Sequence, residues 1–353
     1  MTRRDNYLSI IHRNGYEYMP ADFSMSPALN EKFQNWVDAG KIDFDISIAH
    51  KLVPDIIPAE REQSVFSKYY DYGLRPGTDI DIWGVAREPG SAESMHMMRM
   101  RHPMKDFDSL EQIAAYPFPD FSKSSRTEQE KSVYAAKYDD FITMGKMPMT
   151  IWETSWYLRG MENLMVDMMS DDPIAEALFN RVTEIAVIRA KAFAMSGVDI
   201  LFIGDDIGMQ RSIMMKESLY SDWLKPRLKE VINAAKAINP DIVVIYHSCG
   251  FITPMIPHLV EAGIDVLNPI QPECMDFGEI YDLFGKQLSF HGTIGTQSVM
   301  PFGTPDEVRN AVFKNLDIAG EMGGLLVAPT HLLEPDVPVE NVVAYLKACI
   351  DYK

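Results

Sequence analysis

The chain has 353 residues and a mass of 40.0 kDa, with 46% hydrophobic and 24% charged residues and a mean hydropathy of −0.13. This composition supplies a sizeable core and excludes disordered, collagenous and membrane-spanning chains, since no apolar run approaches the roughly 18 residues a membrane helix needs. Lys and Arg number 33 against 51 Asp and Glu, a formal charge of −18, which argues against nucleic acid as a partner.

Residues 1–75 read as an N-terminal extension covering one end of a main domain at 76–353. Up to about residue 140 the pattern is irregular, with turns at Pro76-Gly77 and Pro89-Gly90. Residues 79–85 read as a strand, 94–101 as a weakly alternating hairpin arm, and 108–116 and 126–137 as helices.

From about residue 140 a regular beat sets in. Apolar runs at 141–144, 199–204, 241–247, 265–270, 287–292 and 324–329 predict strands. Between and after them, 151–169, 173–195, 216–237, 252–262, 276–284, 305–319 and 338–350 predict helices. Short runs apolar on both faces, alternating with helices, make parallel βα units. A doubly wound open sheet would carry a Gly-rich dinucleotide turn, and the sequence has none. The expected fold class is therefore α/β, a (β/α)8 TIM barrel with an N-terminal extension.

In such a barrel the chemistry sits just past the carboxyl ends of the strands. Those positions hold Trp152 and Glu153, Asp205 and Asp206, His247 and Cys249, Gln271 with Glu273 and Cys274, His291, and His331. His247-x-Cys249 lets an imidazole and a thiolate face one point, a nitrogen and sulfur pairing suited to zinc. The plain alternative is a buried strand-end histidine beside a structural thiol. Cys274 and His331 are further candidate ligands. Asp205 and Asp206 are either a catalytic pair or a helix cap with a solvated neighbour. Glu153 is either catalytic or a complement to a helix dipole. Trp152 is a packing residue or the wall of a flat pocket, and His291 a pocket residue or a satisfied hydrogen-bond partner.

The cysteines are three, Cys249, Cys274 and Cys349. With no apolar core in the first residues for a signal peptide, they predict reduced thiols in the cytoplasm. Most of the 23 Met are expected in the core, although thioethers also suit apolar ligand pockets.

The runs at 246–250, 263–273 and 291–297, extended by 301–308 and 328–342 and upstream by 156–165 and 205–208, resemble the uroporphyrinogen decarboxylase superfamily. The resemblance covers 140–353 well and the first 140 residues weakly, and it implies a (β/α)8 barrel. One arm of the superfamily decarboxylates a polycarboxylate tetrapyrrole and needs an N-terminal stretch with two arginines, of which only Arg87 has a counterpart here. The other arm comprises corrinoid-dependent methyltransferases. Their pattern implies His247 and Cys249 as zinc ligands, with His331 where those proteins place a cysteine. Glu273 lies near a carboxylate position, with Gln271 and Cys274 beside it, so the fourth ligand stays open.

The resemblance thus implies a zinc-dependent methyltransferase moving a methyl group between a small molecule, such as a methoxylated compound, and the corrinoid of a separate partner protein. Asp205 or Asp206 would orient substrate or protonate a leaving alkoxide, and Glu153 would join them. Trp152, Gln271 and His291 would line the substrate site; a homodimer is one assembly the sequence leaves open, without fixing the oligomeric state. The alternatives are a decarboxylase and a non-enzymatic corrinoid- or tetrapyrrole-binding protein.

Overall fold

The computed structural model describes residues 1–44, 50–70, 73–90 and 98–352. Seven parallel strands form a curled sheet: β1 (His50–Val53), β5 (Ile142–Pro148), β6 (Ile200–Gly204), β7 (Val243–His247), β8 (Val266–Asn268), β9 (Ser289–His291) and β10 (Leu325–Leu326), in that spatial order. Three short antiparallel strands form a second sheet, β2 (Asp79–Ile80), β3 (Ala86–Glu88) and β4 (Arg99–Arg101). The large sheet is TIM-barrel-like. Its first strand comes from within residues 1–75.

The strands form where the sequence is β-branched and apolar on both faces, as in Val243, Val244 and Ile245, all buried. Helices cover the outside. Pro173–Ser196 begins on Asp172, whose side chain accepts the Ile174 N–H at 2.9 Å, and buries Ile174, Leu178, Phe179, Val182 and Ile185 at helical spacing. Pro305–Ala319 begins with a Thr304–Glu307 capping box.

Several elements depart from the sequence pattern for local reasons. The strand expected over 79–85 stops at Ile80, because the Asp81 carboxylate accepts the N–H groups of Trp83 and Val85 and turns the chain back into β3. β5 runs on past Gly145 and Lys146, which end the apolar run but not the ladder with β6. The helix expected over 216–237 divides into Glu217–Trp223 and Lys225–Lys236, since Pro226 cannot continue the first piece. The helix expected over 151–169 divides at Gly160. Of the expected hairpin arm, 94–97 lie outside the described residues, and Arg99–Arg101 pairs antiparallel with β3.

Residues before β1 span both ends of the sheet. At the amino end, the helix Arg3–Ile11 and the residues after it reach β6, β9 and β10. Arg4 pairs with Asp199, Arg13 donates to Ser289 Oγ at 2.9 Å, and the Gly324 N–H donates to Ile10 O at 2.7 Å. At the carboxyl end, Met25 makes a parallel bridge with Leu333.

The register sets up the site. Pro148, Gly204, His247 and Asn268 are successive partners across β5, β6, β7 and β8. The loops that follow these residues therefore leave the sheet at one end. No helix among the described residues is long and apolar enough to cross a membrane.

Candidate metal and active site

His247 ends β7 and Cys249 lies two residues beyond it, after the buried Ser248. The loop turns at Gly250, whose φ of +87° favours glycine, and a Cβ there would come within 2.8 Å of the Met209 carbonyl oxygen. Glycine thus lets this loop lie against the loop after β6, stitched by the Phe251 N–H donating to Met209 O at 2.8 Å. The packing carries Asp206 to Cys249, whose backbone N–H donates to Asp206 Oδ1 at 2.8 Å.

Three donor atoms meet there. His247 Nε2 is 3.5 Å from Cys249 Sγ and 3.7 Å from Asp206 Oδ1, and one donor atom from each residue lies within 4.8 Å of the others. Donors held tetrahedrally around zinc at roughly 2.0–2.3 Å stand about 3.3–3.7 Å apart. The nitrogen, sulfur and oxygen set and its spacing therefore fit a borderline-soft divalent cation, with one coordination position left for a further ligand.

Burial and neighbouring charges set the protonation of the two donors on β7 and its loop. Burial, then the negative charges of Asp206 and Glu153, push the Cys249 thiol up to about 12. Burial lowers the His247 pKa against the opposing pull of Asn268 and Asp206 and keeps the ring neutral. A bound cation reverses the first effect and deprotonates the thiol.

The remaining residues singled out in the sequence are placed as follows. Asp205 separates from its neighbour: its buried carboxylate accepts the N–H groups of Ile151 and Glu153 at the start of the helix Trp152–Arg159. Burial and the Glu153 charge raise its pKa well above the ordinary value, opposed by those N–H groups. Glu153 accepts the Tyr157 hydroxyl at 2.9 Å and the Asp206 N–H at 3.1 Å, and burial, then Asp206, raises its pKa. Trp152 is fully buried, with no hydrogen-bond partner for its indole nitrogen among the described residues.

Gln271 accepts the Gly250 N–H at 3.1 Å. It lines a cleft of about 430 Å3 together with Cys249, Thr296, Gln297, Thr330 and His331. His331 is exposed on that wall, its ring centroid 6.5 Å from that of His247. Glu273 accepts from Ser298 Oγ at 2.6 Å, and Cys274 sits in a turn closed by its N–H to Gln271 O. His331, Glu273 and Cys274 are outside the three-donor group.

His291 is drawn into a buried chain that the sequence did not reveal. His247 Nδ1 is 2.6 Å from Asn268 Oδ1, and Asn268 Nδ2 is 2.7 Å from His291 Nδ1. His291 Nε2 in turn is 3.0 Å from Asp22 Oδ2. Burial alone would raise the Asp22 pKa, but His50 and His291 outweigh it and hold the carboxyl well below the ordinary range. Asn268 lies in a strand-end run before a proline, the one signal available for it; Asp22 has none.

A metal-competent cluster at the carboxyl end of a TIM-barrel-like α/β sheet defines the class of site. Residues 104–352 match the uroporphyrinogen decarboxylase (URO-D) family, and the chain belongs to it. Among characterised proteins, a methylated-thiol–coenzyme M methyltransferase of Methanosarcina mazei is 25% identical over 223 residues, which are 60% of this chain and 54% of that protein. The chain thus spans about half the length of that relative. Among solved structures, a methyltransferase from Methanosarcina mazei superimposes with a TM-score of 0.67 over 99% of this chain and 98% of the other, at 15% identity. That likeness is one of fold.

Proposed function

We propose that this chain is a zinc-dependent methyltransferase that moves a methyl group between a small molecule and the corrinoid of a partner protein. The observation that carries the reading is the convergence of His247 Nε2, Cys249 Sγ and Asp206 on one point beside an open cleft. Membership of the URO-D family and the methyl-transfer activity named for the Methanosarcina mazei relative support it. We read the sheet as a full (β/α)8 barrel, with the segment around Met25 in the eighth strand position beside Leu333.

In this reading His247, Cys249 and Asp206 hold the zinc. When bound, the ion supplies Lewis acidity toward an ether oxygen or a thiol sulfur. Gln271, Thr296, Gln297 and Thr330 present amides and hydroxyls to the substrate, and His331 stands at the rim. Among the described residues the lining of this cleft includes Glu334 and no Lys or Arg, which suits an uncharged methoxylated compound or methylated thiol better than a polycarboxylate, although Lys146 is near enough to act on His247. In demethylation the methyl–oxygen bond would break, the methyl group would pass to the acceptor carried by the partner, and the departing oxygen would keep the bonding electron pair and take a proton. Glu153, whose pKa burial and Asp206 raise and whose carboxylate is bonded to the Asp206 N–H, would supply that proton.

The test is elemental analysis of the protein purified without chelator, followed by assay of methyl donors against reduced cobalamin. About one zinc per chain, lost in His247→Ala together with turnover, is the expected result. Absence of zinc after supplementation overturns the reading.

A further inference from the structure

We propose that the buried chain Asp22–His291–Asn268 acts as a positioning device that fixes His247 in the Nδ1–H form, so that its Nε2 lone pair already faces Cys249 and Asp206 before a cation arrives. Its purpose rests on the metal-site reading above; the protonation pattern is a property of the metal-free chain.

The pattern follows from one acceptor whose identity is not in doubt. Asn268 Nδ2 lies 3.0 Å from the backbone carbonyl oxygen of His291. A carbonyl oxygen only accepts, so the amide nitrogen must be the atom on that side. A flipped amide would set two oxygens against each other with no proton between them. The same nitrogen then donates to His291 Nδ1 at 2.7 Å, which places the His291 proton on Nε2, where it donates to Asp22 Oδ2 at 3.0 Å. At the other end, Asn268 Oδ1 can only accept, so His247 Nδ1 donates to it across 2.6 Å. The neutral ring has one proton to give, and Nε2 is left with its lone pair. That lone pair is 3.5 Å from Cys249 Sγ, which can donate its S–H to it while no cation is bound.

The chain is built into the fold. Asn268, His291 and Asp22 are 4%, 9% and 7% exposed, so water does not compete for these bonds. Tyr7 donates to Asp22 Oδ2 at 3.1 Å, and the Asp22 N–H donates to Tyr345 Oη at 3.1 Å. Gly292 has φ +79°, and a Cβ there would stand 3.0 Å from Asn268 Nδ2, so glycine leaves the amide its place. Outer partners of this kind set ring orientation and tautomer, and their loss costs about 10–100-fold in metal affinity.

Long-range 1H–15N correlation on metal-free protein labelled with 15N-histidine reads the tautomers directly, with His247→Gln and His291→Gln assigning the signals. Opposite tautomers are expected, Nδ1–H for His247 and Nε2–H for His291. Nε2–H or a mixture at His247 overturns the proposal, whether or not zinc binds, so its failure is distinct from failure of the metal reading. Asn268→Ala is expected to mix the His247 tautomers and weaken zinc binding about 10–100-fold in competition with a chromophoric chelator. Asn268→Asp keeps an oxygen opposite Nδ1 and is expected to keep the His247 tautomer and most of the affinity, with the change confined to His291. Equal loss in both variants with an unchanged tautomer marks a packing role and overturns the proposal.

Discussion

Asp206 Oδ1 lies 3.7 Å from His247 Nε2 while accepting the Cys249 N–H at 2.8 Å, so this carboxylate is fastened to the backbone of one donor and faces the ring of another. Its neighbour Asp205 is taken up by a helix start. The two adjacent carboxylates therefore do different work. Asp206→Asn is expected to lower zinc affinity by more than the about 10–100-fold of an outer-partner loss, with the fold intact. Asp205→Ala, which leaves the Ile151 and Glu153 N–H groups without their acceptor, is expected to leave zinc content unchanged and lower the unfolding temperature. Chelator competition and thermal unfolding on the two variants check the pair; unchanged zinc affinity in Asp206→Asn would remove that carboxylate from the donor set.

The Cys249 thiol, pushed up to about 12 by burial and by the charges of Asp206 and Glu153, is protonated at neutral pH in the metal-free chain. Binding as a thiolate releases that proton. Apparent zinc affinity is therefore expected to rise about tenfold per pH unit between roughly pH 6 and pH 8. Cys249→Ser should bind more weakly and lose most of this slope. Competition titrations across that range decide it, and a flat wild-type profile would show that the thiol is not a ligand.

The sequence carries the site where strand ends carry it. His247 and Cys249 are legible because a strand followed by a one-residue spacing brings two donors out of the sheet together, and the structure places them 3.5 Å apart. Cys274 and His331 have the right chemistry and the right end of the fold, but loop geometry decides whether a side chain reaches the common point. Cys274 is held in a turn on Gln271, and His331 stays on the exposed wall. Asp206 reads in sequence as half of a pair, and only the packing of two loops separates it from Asp205. The first 75 residues were the least legible. β1 has four residues, His50–Val53, with one buried, too short for a period to register. Asp22 meets His291 across 269 positions of chain, a contact no local pattern encodes.

Arg159 and Asp167 form a buried ion pair at 2.8 Å, and Arg159 Nη1 also donates to the carbonyls of Met104, Lys105 and Phe107 at 2.8, 2.9 and 2.8 Å. One guanidinium thus ties the 104–107 turn to the junction of two helices after β5. Arg159→Ala leaves the buried Asp167 carboxylate and the Phe107 carbonyl without this donor, while Lys105 O keeps Asn163 Nδ2 and Met104 O keeps the Phe107 N–H. A loss of about 3–5 kcal/mol is expected by urea unfolding. The double variant Arg159→Ala with Asp167→Ala should recover part of it, and a single variant of wild-type stability would sink the argument.

Asp199, just before β6, gathers partners from distant parts of the chain. Its Oδ2 accepts the Thr143 N–H and hydroxyl at 2.9 and 2.7 Å, and its Oδ1 meets Arg4 at 2.7 Å and Lys137 at 3.2 Å. Burial alone would raise its pKa, but Arg4, Thr143 and Lys137 together lower it below the ordinary carboxylate value. In the acid range the unfolded chain then binds more protons at this residue than the folded one, so stability rises with pH there. The contribution is complete above the ordinary carboxylate pKa of about 4 and is lost as pH falls through the lower folded value. Asp199→Asn is expected to cost about 1–3 kcal/mol at neutral pH, and its gap from the wild type should narrow as pH drops below about 4. Urea midpoints of both proteins at neutral and acid pH measure the gap; one that stays constant into the acid range would mean the carboxylate charge contributes nothing to holding Arg3–Ile11 against the sheet.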